Sequence, residues 1–109
     1  MVTDGILFDL DGTLWDSCRA VAESWGKTLR LVYGAESSPS REEVRSIMGM
    51  TAEGISRTLF SHYGEKALEI CLRCIREEND YIARTGGDVY PGIKEMLEAL
   101  CRRYPLFLV

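Results

Sequence analysis

The chain alternates between short apolar runs and long stretches in which apolar residues recur every three or four positions. Residues 5–9, Gly-Ile-Leu-Phe-Asp, read as a buried strand that ends on an acid. Asp11-Gly12 is a turn dipeptide that breaks it. From Ser17 the period changes: Cys18, Val21, Ala22, Trp25, Leu29 and Val32 predict a helix to about Tyr33, closed by Gly34. Residues 34–40 read as a loop around Pro39. Ser40-Arg-Glu-Glu43 then has capping-box spacing, and Val44, Ile47 and Met48 supply the apolar face of a short helix.

Gly49-Met50-Thr51 marks a break, and a further helix carries Ile55, Leu59 and Phe60 to an end near Gly64. The longest helix is expected over 65–84, with Leu68, Cys71, Ile75 and Ile82 in line, stopped by Thr85-Gly86-Gly87-Asp88. Pro91 can open another helix, whose stripe is Ile93, Met96, Leu97, Leu100 and Cys101. After Pro105, Leu106-Phe107-Leu108-Val109 repeats the buried-strand pattern. Both strands read as nearly continuous apolar runs, as in a parallel sheet covered on two faces. The layout is therefore α/β: residues 1–14 and 88–109 as part of a sheet domain, and 15–87 as an all-helical insertion. Two strands and one helix make a marginal sheet, so the reading expects the protein to continue beyond Val109.

Composition narrows the classes. Of 109 residues, 46% are hydrophobic and 28% charged, with a net charge of -4, which is the profile of a folded globular chain rather than a disordered one. The acidic balance speaks against a nucleic-acid partner. No apolar run reaches the roughly 20 residues of a membrane span, and Asp4, Asp9 and Asp11 stand where a signal peptide would be basic and then apolar, so a cytoplasmic location is expected. In that setting the four cysteines are expected to be reduced. Cys71-Leu-Arg-Cys74 has metal-pair spacing, but no second pair completes a zinc site, and two small apolar residues on one helix face is the preferred reading. His62 is the only histidine and is expected on the surface near a helix end.

The chemistry concentrates in Asp9-Leu10-Asp11-Gly12-Thr13. Residues two apart in extended chain share a face, so both acids can be aimed at one place where strand meets loop. Ligands of open parallel sheets bind beyond the carboxyl ends of strands, which is where this pair falls. Two close carboxylates repel, and a cation, or a proton held by one of them, relieves that cost. An EF-hand loop begins similarly but needs Gly at its sixth position and Glu at its twelfth; those positions are Leu14 and Ala20. A purely structural acidic turn capping the next helix is the bland alternative, a role Asp16 and Ser17 already suit.

Phe8-Asp9-Leu10-Asp11-Gly12-Thr13-Leu14, followed by Asp16-Ser17, resembles the first motif of the haloacid dehalogenase superfamily. The helical insertion and the return through Asp88-Val89-Tyr90-Pro91-Gly92 resemble its helical-cap subgroup, which includes phosphoglycolate phosphatase and beta-phosphoglucomutase. The resemblance implies a Rossmann-like parallel-sheet core with an inserted helical cap, of which only the first strands lie in this chain. It implies Asp9 as nucleophile, Asp11 as acid and base, Mg2+ on Asp9 and Asp11, and a small phosphorylated metabolite as substrate. Gly12 and Thr13 are implied to bind the phosphoryl group, and Trp15 is a candidate substrate contact. Met50 is a weaker one, and Trp25 is expected in the cap core. The family's later Ser or Thr, its Lys and its further acids are expected past Val109; Lys27, Lys66 and Lys94 are not assigned that role. The fragment alone is thus expected to be inactive.

Two departures favour a phosphatase over a mutase: Val21 stands where the mutases carry a cap-helix His, and Ala52 where they carry a phosphate-binding Arg. A non-catalytic helical interaction module is the remaining alternative, and an exposed strand edge beside Val109 raises homodimerisation or strand exchange.

Overall fold

The computed structural model describes residues 2–109. In chain order the elements are β1 (Ile6–Phe8), β2 (Trp15–Asp16), α1 (Cys18–Tyr33), α2 (Arg41–Ile47), α3 (Ala52–Leu59), a 3-10 segment (Ser61–Lys66), α4 (Ala67–Thr85), β3 (Asp88–Val89), α5 (Ile93–Cys101) and β4 (Leu106–Leu108). The chain divides into two compact units, one of residues 1–17 with 87–109 and one of residues 18–86.

The first unit is α/β. Strands β1 and β4 pair in parallel with Ile6 opposite Leu106 and Phe8 opposite Leu108. The pairing is extended at both ends, where the Ile6 N–H donates to the Pro105 carbonyl and the Val109 N–H to the Phe8 carbonyl. Helix α5 precedes β4. A second, antiparallel ribbon sets β2 against β3, Trp15 opposite Val89 and Asp16 opposite Asp88. Periodicity does not predict it, because each strand is two residues long and half acidic.

The expected two-sided burial of this sheet is not observed. Leu7 is 71% exposed and Phe107 54%, and no residue of α5 is fully buried. Met96 and Cys101, placed in the stripe by spacing, are exposed, while Ile93, Leu97 and Leu100 are half-buried. Leu7 and Phe107 stand opposite each other on one face of a two-stranded sheet, and Leu108 on the other face is 61% exposed, so two strands and one helix leave both faces partly open.

The second unit is all helical and owns the core. Cys18, Val21, Trp25 and Leu29 of α1 pack with Val44 and Ile47 of α2, Ile55 of α3, Phe60, and Ala67, Ile70, Cys71 and Cys74 of α4. The Trp25 and Phe60 rings lie 5.6 Å apart at a tilt, a favourable aromatic geometry. Helix α1 ends where Gly34 takes φ +64°, with its N–H donating to the Arg30 carbonyl. Ser40 and Glu43 form the reciprocal capping box at α2, and the Thr51 side chain accepts from the Gly54 N–H at the start of α3.

Three details differ from the periodic pattern. Val32 is exposed, while Tyr33 beside it is the residue of the last turn of α1 that packs against the core. Leu68 is exposed too: the buried stripe of α4 begins at Ala67 and steps to Ile70, Cys71 and Cys74, leaving Leu68 off to one side. A 3-10 segment kinked at Gly64 separates α3 from α4. Cys71 and Cys74 are fully buried free thiols on one helix face. Burial first, and the Glu78 carboxylate after it, push their ionisation up to about 11 for Cys71; for Cys74 burial and then Cys71 push it to about 12.

Candidate active site

Asp9 leaves β1 at its carboxyl end, and residues 10–15 fold back on themselves directly after it. The Leu10 carbonyl accepts from three main-chain N–H groups, those of Thr13 (3.2 Å), Leu14 (3.0 Å) and Trp15 (3.2 Å). The Gly12 N–H closes the loop from the other side on the Trp15 carbonyl at 2.9 Å. This tight return needs a left-handed residue at its apex, and Gly12 supplies it with φ +78°. The Tyr90 N–H, at the end of β3, donates to the Leu14 carbonyl and ties the loop to the ribbon.

The result is an exposed loop carrying Asp9, Asp11, Gly12 and Thr13 at the carboxyl end of a parallel strand. Above Gly12 the space is open, for no atom lies within 4 Å of where a Cβ would stand. The main-chain N–H groups of Gly12 and Thr13 are spent inside the loop, which leaves the hydroxyl as the remaining donor of the exposed Thr13.

Trp15 does something its position in the sequence does not reveal. Its indole Nε1–H donates to Asp11 Oδ1 at 2.9 Å. Its ring lies over Gly87, so closely that a Cβ there would stand 2.7 Å from Trp15 Cδ2. A local signal for this pair exists only in hindsight: an indole donor four residues from a carboxylate, across a glycine turn rather than along a helix.

The large concave surfaces of this unit hold neither Asp9 nor Asp11, although one of about 420 Å³ is lined by Leu10, Leu14 and Trp15 of the same loop. A cleft of about 350 Å³ is lined by Phe8, Leu14, Leu97, Cys101, Leu106 and Leu108, almost entirely apolar, and holds neither acid. Among the described residues there is no group of three or more His, Cys, Asp or Glu side chains able to hold a metal by themselves. Among the described residues no helix is long and apolar enough to cross a membrane. In the helical unit, Val21 is core, His62 is exposed, and Met50 is 46% exposed at the turn before α3.

Comparison with known proteins points one way. A family model for haloacid dehalogenase-like hydrolases matches residues 6–109. No curated protein matches the chain. Among solved structures, a haloacid dehalogenase-like family hydrolase from Streptococcus pneumoniae is 28% identical with a TM-score of 0.70, covering 96% of this chain and 48% of its own. A protein described as a predicted phosphoglycolate phosphatase from Haemophilus somnus is 26% identical with a TM-score of 0.67, covering 97% of this chain and 50% of its own. The beta-phosphoglucomutase of Clostridium difficile, at 20% identity and TM-score 0.56, covers 98% of this chain and 51% of its own and shares the fold. The chain thus spans about half the length of the solved structures it matches.

Proposed function

The chain belongs to the haloacid dehalogenase-like hydrolase family, and from that premise we propose that it carries the nucleophile and the acid–base group of a phosphatase acting on a small phosphomonoester. The observation that carries this reading is the pair Asp9 and Asp11 on one exposed loop at the carboxyl end of β1, followed at once by a glycine apex with open space about it. In this reading residues 1–17 and 87–109 belong to the catalytic core and the helical unit is its cap.

The chemistry follows from the two acids. An Asp9 carboxylate oxygen attacks phosphorus in line, the ester P–O bond breaks, and the departing oxygen takes a proton from Asp11. Water then attacks the aspartyl-phosphate, Asp11 takes its proton, the bond from phosphorus to Asp9 breaks, and inorganic phosphate leaves. Asp11 ends protonated, ready for the next substrate. Open space above Gly12 lets phosphoryl oxygens approach the backbone, and the Thr13 hydroxyl donates to them.

Asp9 and the Asp11 main-chain carbonyl are hard oxygen donors, and a site of few protein ligands suits Mg2+, which keeps water and phosphate oxygens in its shell. When bound, that ion offsets the charge of carboxylate and phosphate facing each other. The remaining phosphate-binding groups would come from outside these 109 residues, so this stretch alone is proposed to be inactive.

Val21, packed in the helical core, and Ala52 both favour a phosphatase over a mutase, because neither side chain can grip a second phosphate. The deciding experiment assays the full-length gene product on p-nitrophenyl phosphate with Mg2+, beside Asp9→Asn. Turnover that the variant loses supports the enzyme. Absence of turnover on any phosphomonoester tried would favour the helical interaction module. Conversion of beta-glucose 1-phosphate to the 6-phosphate would favour the mutase.

A further inference from the structure

We propose that Trp15 is a positioning residue: its indole N–H holds the Asp11 carboxylate in the orientation from which it passes a proton to the leaving group, and Gly87 is glycine to seat that indole. The inference rests on the phosphatase reading above but names a residue and a contact which that reading does not need.

Asp11 stands on an exposed loop, where a carboxylate is otherwise free to turn about two side-chain bonds. One of its oxygens is instead engaged by Trp15 Nε1 at 2.9 Å. That leaves the other oxygen as the atom that exchanges the proton with substrate, so a single bond selects which oxygen works. Indole suits the task because it is a donor only and does not titrate; it can neither take the proton nor compete for it.

The donor is itself held rigidly. Trp15 lies in β2, paired with Val89, and its N–H and carbonyl are both bound within the loop, to Leu10 and Gly12. The ring rests against Gly87, where a Cβ would meet Trp15 Cδ2 at 2.7 Å and Cγ at 3.0 Å. Both of those are ring atoms with no freedom to bend away, so any side chain at 87 shifts the indole. Gly87 does not take a positive φ; space is what it supplies.

Two measurements on the full-length gene product test this. With 15N-tryptophan labelling, the Trp15 indole resonance is identified by its loss in Trp15→Phe. It is expected to move in Asp11→Ala and in Gly87→Ala, while that of Trp25 stays in place. A Trp15 resonance indifferent to Asp11→Ala would overturn the proposal. Single-turnover release of the first product separates positioning from general damage. Trp15→Phe keeps the ring and loses the N–H, and is expected to slow alcohol release from an alkyl phosphate about tenfold with KM little changed. It should slow p-nitrophenol release less than about twofold, since p-nitrophenolate departs without a proton. Equal slowing of both substrates would make Trp15 merely structural and overturn the proposal, even with Asp9→Asn inactive. Full activity in Asp9→Asn would instead bring down the phosphatase reading and the positioning role with it.

Discussion

The indole N–H of Trp25 donates to the carboxylate of Glu78, joining α1 to α4 at the edge of the helical core. Trp25 is 2% exposed, so its N–H has no access to water and needs this acceptor. Trp25→Phe should therefore cost about 2 kcal/mol, from the lost bond and the smaller ring together. Glu78→Gln, which keeps an acceptor oxygen, should cost under about 1 kcal/mol. Urea unfolding followed by far-ultraviolet circular dichroism reads both.

Ser40→Ala removes the acceptor for the Glu43 N–H and should lower stability by about 1 kcal/mol. Glu43 in turn accepts from the Ser40 N–H at 2.8 Å, and that bond holds its carboxyl below its ordinary 4.5. A depressed carboxyl stabilises the fold above its ordinary value and loses that contribution as pH falls through the folded-state value. Thermal melts between pH 6 and pH 3 should thus drop less steeply in Glu43→Gln than in the parent.

The buried thiols give a pH effect of opposite sense. Cys71 and Cys74 hold their protons to about 11 and about 12, whereas in the unfolded chain they release them near 9.0. The unfolded state therefore binds fewer protons as pH rises through that window, and the fold loses stability. Denaturation midpoints should fall between pH 9 and 11, and fall less in Cys71→Ala/Cys74→Ala. In the native protein at pH 8, Ellman's reagent should label Cys101, which is exposed, well before the three buried cysteines.

Gly12 and Gly87 should respond differently to side chains. At Gly12 the demand is φ +78° with open space around it, so Gly12→Ala should cost roughly 1–2 kcal/mol and Gly12→Asn less, because Asn tolerates the left-handed region. Comparing the two variants by chemical denaturation checks that backbone angle, and not bulk, is the constraint there.

Leu7, at the centre of β1, faces outward and is 71% exposed. Leu7→Thr should change the stability of this chain by no more than about 0.5 kcal/mol, and reduced binding of a hydrophobic dye should accompany it.

How far the sequence could be read depended on how local each signal was. Gly34, the Ser40 and Glu43 pair and the strand at Ile6–Phe8 act over a few residues, and each appears where its pattern puts it. So does the acidic loop after β1, although its exposure was not legible there. Leu68, Val32 and the outward residues of α5 were legible as apolar but not as exposed, because exposure depends on which neighbours cover a face. The ribbon of β2 with β3 pairs residues more than seventy positions apart over two rungs, too short for any periodicity. Trp15 was legible as an aromatic beside the acids; that its N–H would turn back onto Asp11 depends on the fold of the glycine turn between them.

One oxygen atom organises the acidic loop. Because the Leu10 carbonyl that gathers three N–H groups belongs to the peptide, replacing the leucine side chain leaves the acceptor in place. Mutational drift at position 10 can thus remodel the hydrophobic floor while the scaffold that presents both aspartates keeps its shape. Proline at 13, 14 or 15, by deleting one of the donors, attacks that scaffold at its root.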